Sequence, residues 1–468
     1  MVKKHSHTYK NICLGLLTAG IALLSACAGG GAPAAEPSPA VTAAPTAEPT
    51  PSPVPEISVG PRTYTADRTS LSLSSRMSLE ELTGTLSRFP RLEYAAFYGG
   101  GVAPAVQAAL TERFPQVTFR WDTLLAGRVI PFHTKTLSLT DTPLTAEDVE
   151  EIRLGTAFLP ELERIDLRGC GLSDQELHAL DQALEGIDVV WTIPVYGVEF
   201  LSTDPEIDIS GVPVRDGAAA LEEQMPLFSH LEKVVMSGCG LSNEEMDALN
   251  KKYDDVRFVW SVYFSIWSLR TDATNFICAR TRNDAPLMSW QCEVLRYCTD
   301  LIALDFGHKN ITDLSFLYAL PKIQYLILVE NDINDITPIG SLSELKYLEV
   351  FWTKIEDLLP LINCKKLEDL NICYIYCKPD RAYETLIQMP WLERLWYCGN
   401  YLTAEQISAL KANMPQCEMY LEPHGESTGG GWREHEHYYQ MRDVFEMYYM
   451  PGGTNGVDEY GHQIIVPG

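Results

Sequence analysis

The sequence predicts an α/β solenoid in which short parallel strands stack coil on coil into a concave sheet, with helices or 3₁₀ turns on the convex side. Two periods carry this reading. Leu301, Leu304, Phe306, Ile311, Leu314, Leu317 and Leu320 recur 22 residues later as Ile323, Leu326, Leu328, Ile333, Ile336, Ile339 and Leu342, and a third copy follows at Leu345, Leu348, Val350, Ile355, Leu358 and Leu361. Leu92, Leu162, Leu231 and Leu301 lie 70, 69 and 70 residues apart. The first three are followed by an apolar residue ten positions later (Val102, Leu172, Leu241) and a leucine eighteen later (Leu110, Leu180, Leu249), offsets that Leu392, Leu402 and Leu410 repeat. Self-similarity at a fixed period marks units that bury their apolar faces only against their neighbours.

The chain opens with Lys3, Lys4 and Lys10 before the apolar run 12–24, which is too short to span a membrane. Leu24, Ser25, Ala26 and Cys27 then form a small-residue cleavage box ending in cysteine. This leader resembles that of bacterial lipoproteins. The resemblance implies a signal peptide over 1–26, diacylglycerol on the Cys27 thiol, and a protein lipid-anchored on the extracellular side of the cell membrane. Residues 27–61 are rich in Ala, Pro, Gly, Thr and Ser. They have too little apolar area to offset the entropy of ordering, so a solvated tether is expected, reaching about 3 Å per residue where it is polyproline-like.

The solenoid is expected over 62–423. Within the 70-residue units, LERIDL at 162 and LEKVVM at 231 read as short strands. Ser173 with Glu176, Ser242 with Glu245 and Thr403 with Gln406 are capping boxes that open helices, and Leu177, Leu180 and Leu184 give the first of these an inward stripe. Further strands at Val117-Phe119-Trp121, Ile187-Val189-Trp191 and Val256-Phe258-Trp260 place all three tryptophans on an inward face by period-two alternation. Strand-like pieces at 136–139, 207–210 and 276–279 bring the count to about three coils per unit. At about 4.8 Å per coil, roughly fourteen to sixteen coils form an arc on the order of 65 to 75 Å. A truncated repeat near Ser70 is expected to seal the N-terminal end.

The short repeat, L-x-x-L-x-L-x-x-N-x-I, resembles the leucine-rich repeat in its internalin-like form, and the longer units resemble ribonuclease-inhibitor-like repeats. The 22-residue units have room only for a 3₁₀ or extended return. Cys170 and Cys239 stand where Asn331 and Asn400 stand in other repeats, a position the family uses to satisfy turn backbone, so buried thiols are expected there. Cys373 and Cys398 occupy equivalent positions of adjacent coils; a disulfide between them is one reading, against the poor bonding geometry of in-register parallel strands.

The resemblance implies non-enzymatic recognition of a protein or carbohydrate ligand by the concave face. The candidate ligand-binding residues are Tyr325, Tyr347, Glu349, Phe351, Trp352, Asp369, Tyr374, Arg394 and Trp396, aromatics interleaved with charge. The tail at 424–468, with Trp432, Tyr438, Tyr439, Phe445, Tyr448 and Tyr449, competes for the same face: it either folds back over those residues or caps the last coil. Intramolecular cover and external ligand both stand on the sequence alone.

The formal charge is −27, and removal of Lys3, Lys4 and Lys10 with the leader takes it to −30. So acidic a chain repels phosphate backbones, which argues against nucleic acid as a partner. HExxH and phosphate-loop motifs are absent from the sequence. His435 and His437, with Glu434 or Glu436, offer the one metal-like set, but residues two apart share no strand or helix face. No cofactor is expected, no metal either, and the protein is expected to be a monomer. A structural envelope scaffold without a ligand and a metal-dependent enzyme built on the tail are the alternatives.

Overall fold

The computed structural model describes residues 54–278, 287–399 and 401–447. The leader, Cys27, most of the expected tether, and Tyr448 and Tyr449 lie outside them. Among the described residues no helix is long and apolar enough to cross a membrane. The folded part begins with the antiparallel hairpin Glu56–Val59 and Arg62–Thr65, whose first strand lies inside the stretch expected to be tether. Its Val59 is buried, and Ile57 and Tyr64 pack on the first core cluster. These few apolar residues are enough to order it as the N-terminal seal. The segment beginning at Ser70 is accordingly a full repeat, strand Ser70–Ser74 followed by a capped helix.

Among the described residues sixteen parallel strands form four sheets. Three sheets have three strands each, the first being Ser70–Ser74, Tyr94–Tyr98 and Thr118–Arg120. The fourth runs unbroken through seven strands from Asn275–Ile277 to Glu418–Tyr420. Its register places Leu304, Leu326, Leu348, Leu370 and Leu395 side by side, all fully buried. The central residue of each short strand therefore faces the core, and its two neighbours face the concave side. This is the leucine-rich-repeat solenoid, with helices returning in the long units and 3₁₀ turns such as Ser315–Ala319 and Thr337–Ser341 in the 22-residue units.

What separates the sheets is an element the sequence pattern hides. The hairpins Thr123–Leu125 with Arg128–Ile130, Thr192–Val195 with Val198–Leu201, and Ser261–Phe264 with Trp267–Arg270 interrupt the array once per long unit. Their period-two alternation is the same as that of a coil strand, so hydrophobic spacing alone does not distinguish them. Ala126-Gly127 and Tyr196-Gly197 hold positive φ at both turn residues, as a two-residue hairpin loop requires. Trp121, Trp191 and Trp260 are buried as alternation predicts.

The capping boxes at Ser173, Ser242 and Thr403 form with the expected partners, and Ser78 with Glu81 and Thr145 with Asp148 add two more. Asn331 accepts from the N–H groups of Lys309 and Ile311 at 3.1 and 2.9 Å and donates to the Phe306 and Leu328 carbonyls. Cys239 does less in the same place, a thiol donating to the Ile209 carbonyl at 3.1 Å. Cys373 and Cys398 are thiols, with the Cys398 N–H donating to Cys373 Sγ at 3.0 Å. The turn leaving each short-repeat strand holds a left-handed residue: His308, Glu330, Trp352, Tyr374 and finally Gly399. Side chains bearing a Cβ are uncommon at such φ values, so the stacked coils hold this ladder in place.

Candidate functional site

The concave face of the seven-stranded sheet is occupied. Residues 424–435 fold as a chain of turns, and the helix Glu436–Val444 follows. Together they lie on the strands and form a second core with Ala303, Ile327, Tyr347, Phe351 and Trp396 on one side and Trp432, Met441 and Phe445 on the other. The sequence left two readings open for the tail; it is intramolecular cover that the geometry fits. Six of the nine candidate ligand-binding residues (Tyr347, Glu349, Phe351, Asp369, Arg394 and Trp396) are buried beneath it. As a face open to solvent, that set is corrected. The physical reason is that outward positions this apolar lose too much by remaining wet when an aromatic segment is tethered beside them. Tyr325 and Tyr374 are half-buried. Trp352 alone of the nine is exposed: its left-handed turn swings the indole off the strand face and stacks it on Tyr374 at 4.4 Å.

Trp432 is the centre of the seat. It is fully buried, its ring lies 5.0 Å from Trp396 and 5.5 Å from Tyr347, and its Nε1 donates to Glu349 Oε1 at 2.7 Å. Tyr347 donates its hydroxyl to the same carboxylate. The Arg394 guanidinium sits 4.2 Å over the Trp432 ring and 4.9 Å from the Trp396 ring, a cation held between two π faces. It donates to Asp369 Oδ1 at 3.2 Å and to the Trp432 carbonyl at 2.9 Å.

Three further side chains of the strands and turns read the tail's main chain. Trp396 Nε1 donates to the Gly429 carbonyl at 2.7 Å, Asn371 Nδ2 to Ser427 at 2.7 Å, and the Tyr374 hydroxyl to Gly425 at 2.6 Å. The tail approaches so closely because it lacks side chains where it must. A Cβ on Gly430 would meet the Tyr420 ring at 2.5 Å, and one on Gly425 would meet the Tyr420 hydroxyl at 2.7 Å.

Burial sets the electrostatics. It pushes Glu349 above its ordinary range, against the hydrogen bonds from Tyr347 and Trp432. It pushes Asp369 up to about 6 against Arg394 and His437, and Asp305 to about 7 against the Gly307 N–H. His437 does not meet Glu434 or Glu436, the partners its sequence neighbourhood suggested. Its Nδ1 lies 2.9 Å from Asp369 Oδ2, on a strand 68 residues earlier in the chain. His435 caps the tail helix by accepting the His437 N–H, and its Nε2 lies 4.0 Å from Glu418.

Elsewhere, a shallow cleft of about 340 Å³ opens between the third hairpin and the 3₁₀ helix Ser289–Tyr297, with Tyr263 and Trp290 both strongly exposed on its rim. Sequence reasoning missed it, because exposure at a hairpin tip leaves no periodic trace. The outer faces of the first three sheets are partly open: Ser70, Thr118, Arg120, Ser138 and Asp208 are exposed, as are Tyr94 and Tyr98, whereas the outward Val190, Val235 and Val259 are buried.

No protein-family model and no curated protein matches the chain. Among solved structures it is similar to internalin C2 of Listeria monocytogenes (16% identity, 68% of this chain and 93% of that one, TM-score 0.25). It is likewise similar to the Listeria internalin InlF (15%, 78% and 91%, TM-score 0.27) and to a leucine-rich-repeat protein of Leptospira interrogans (14%, 76% and 96%, TM-score 0.27). Superpositions this loose carry no functional weight, and the fold assignment rests on the strand ladder itself.

Proposed function

We propose that the protein is a lipid-anchored cell-surface module that recognises a protein partner on its strand face, without catalysis. The observation that carries this reading is how the face holds the tail. Four side chains (Asn371, Tyr374, Arg394 and Trp396) each donate to a main-chain carbonyl of residues 425–432, and a single tryptophan fills the pocket between Tyr347 and Trp396. Carbonyl-reading donors around one aromatic anchor are peptide-recognition chemistry, which favours a protein over a carbohydrate ligand. In this reading the tail is a resident peptide ligand, and a partner segment of like chemistry exchanges with it while the exposed residues of the first three sheets add contact area. Anchorage rests on the residues around Cys27.

Two measurements test the proposal. Trp432→Ala should unseat the tail and allow a synthetic peptide of residues 424–447 to bind the full chain saturably in trans; absence of binding removes the peptide reading of the face. Cys27→Ser should move the protein from the membrane fraction to the soluble envelope or culture fluid. Retention in the membrane would remove the lipid anchor.

A further inference from the structure

Glu368, Asp369 and His437 each bring one ligand atom to a common point, all within 4.8 Å of one another. Two come from the strand edge of the 22-residue array and one from the tail helix, so the cluster spans the seam between the tail and the face it covers. We propose that it is a divalent-cation site of the zinc class, which clips the tail to the strands.

The chemistry of the set supports this. Imidazole nitrogen and carboxylate oxygen are both zinc ligands, with bond lengths of about 2.0 to 2.2 Å, and three protein ligands leave a fourth position for water. Ligands on a tetrahedral ion at that radius lie about 3.3 Å apart, so the side chains close by at most about 1.5 Å to reach it. Asp369 is buried and fixed, with Oδ1 held by Arg394 and Oδ2 turned toward His437. Glu368 and His437 are only half-buried, which leaves an approach for the ion and room for the closure. Glu393 Oε2 lies 3.8 Å from His437 Nε2, on the far side of the ring from Asp369. A carboxylate behind a metal-bound imidazole orients the ring and fixes its tautomer, the arrangement seen around metal-ligating histidines generally. Without an ion, the same geometry reads as an ion pair between His437 and Asp369. The ion adds Glu368, which has no other role in the seat, and converts a hydrogen bond across the seam into coordination. The site departs from the expectation of no metal, and it uses neither Glu434 nor Glu436.

The test is titration of the metal-free full chain with ZnCl₂ by calorimetry, with hydrogen exchange of residues 424–447 followed in parallel. Expected are a site of one ion per chain, a loss of at least tenfold in affinity in both Glu368→Gln and His437→Gln, no change in His435→Gln, and slower exchange of the tail when zinc is bound. Glu368→Gln is the decisive variant, because the metal-free tail should keep its exchange protection in it. A cobalt(II) spectrum free of thiolate charge transfer separates this site from the cysteines. The proposal is overturned if no stoichiometric zinc binds, if Glu368→Gln and His437→Gln bind as the parent does, or if bound zinc leaves tail exchange unchanged, in which case the cluster is an ion pair only.

Discussion

The two halves of the solenoid use one strand geometry and treat its outer face in opposite ways. In the long units the outward positions of the first strand of each sheet (Ser70, Ser72, Thr136, Ser138, Glu206 and Asp208) are exposed, whereas Val190, Val235 and Val259 on the later strands are buried, and the hairpins cut the sheet every third strand. In the short repeats the outward positions are Tyr347, Glu349, Asp369, Asn371, Arg394 and Trp396, each buried, on a continuous sheet under the tail. A parallel strand buried on both faces reads as a run of apolar residues, whereas one with a wet face alternates. The contrast teaches that outer-face composition in a solenoid reports cover as readily as it reports an external ligand.

The sharpest way to break the contrast is at Trp432. Trp432→Ala removes a fully buried ring together with its donation to Glu349, so the tail's docking should weaken by about 3 to 5 kcal/mol. Hydrogen exchange of residues 424–447 should rise to near that of a free peptide, and an apolar dye should bind the newly exposed aromatics. Tyr98→Ser on the open face should shift stability by no more than about 0.5 kcal/mol. Equal effects at the two sites would mean that the covered and open faces do not differ as described.

A smaller difference separates the turns. Asn331→Ala leaves the N–H groups of Lys309 and Ile311 and two buried carbonyls without their side-chain partner, at about 1 to 3 kcal/mol for each buried group left unsatisfied. Cys239→Ala in the long units gives up one thiol donation to Ile209 and should cost about 1 kcal/mol. Chemical denaturation of the two variants checks the order, and a larger loss at Cys239 would contradict it.

How far the sequence foretold this follows the range of the interactions. The 22-residue period, the capping boxes and the inward tryptophans were legible, because each depends on residues within one coil or its neighbour. The hairpins were not, since Thr192–Val195 alternates like any coil strand and only Tyr196-Gly197 betrays the turn. The concave aromatics were correctly placed on one face, except for Trp352, whose left-handed backbone no periodicity encodes. The seat itself was legible only as a choice. Contacts such as His437 with Asp369 join positions 68 residues apart, with no local pattern linking them.

The finest test of the contrast is its sign with pH. On the covered face burial raises Asp369 from 3.8 to about 6 and Asp305 from 3.8 to about 7, and raises Glu349 as well. Groups raised in the native state bind protons there that the unfolded chain has already released, so their contribution is fully present below pH 4 and is lost as pH rises through about 6 to 7. His435 opposes this weakly. Burial and then Arg394 hold it below 6.5, so what it contributes is lost on acidification, but a third of its side chain is in water. On the open face the hydrogen bond from Arg168 lowers Asp166, a contribution present above pH 4 and lost only below it. Acidification from pH 7.5 to 5.5 should therefore slow exchange of the tail, after correction for the intrinsic rate, while leaving residues 136–166 unchanged. Glu349→Gln keeps an acceptor for Trp432 and Tyr347 without a charge to bury, so it should strengthen tail docking at pH 7.5 and shrink the pH response. A tail that loosens on acidification in both proteins would overturn this sign for the covered face.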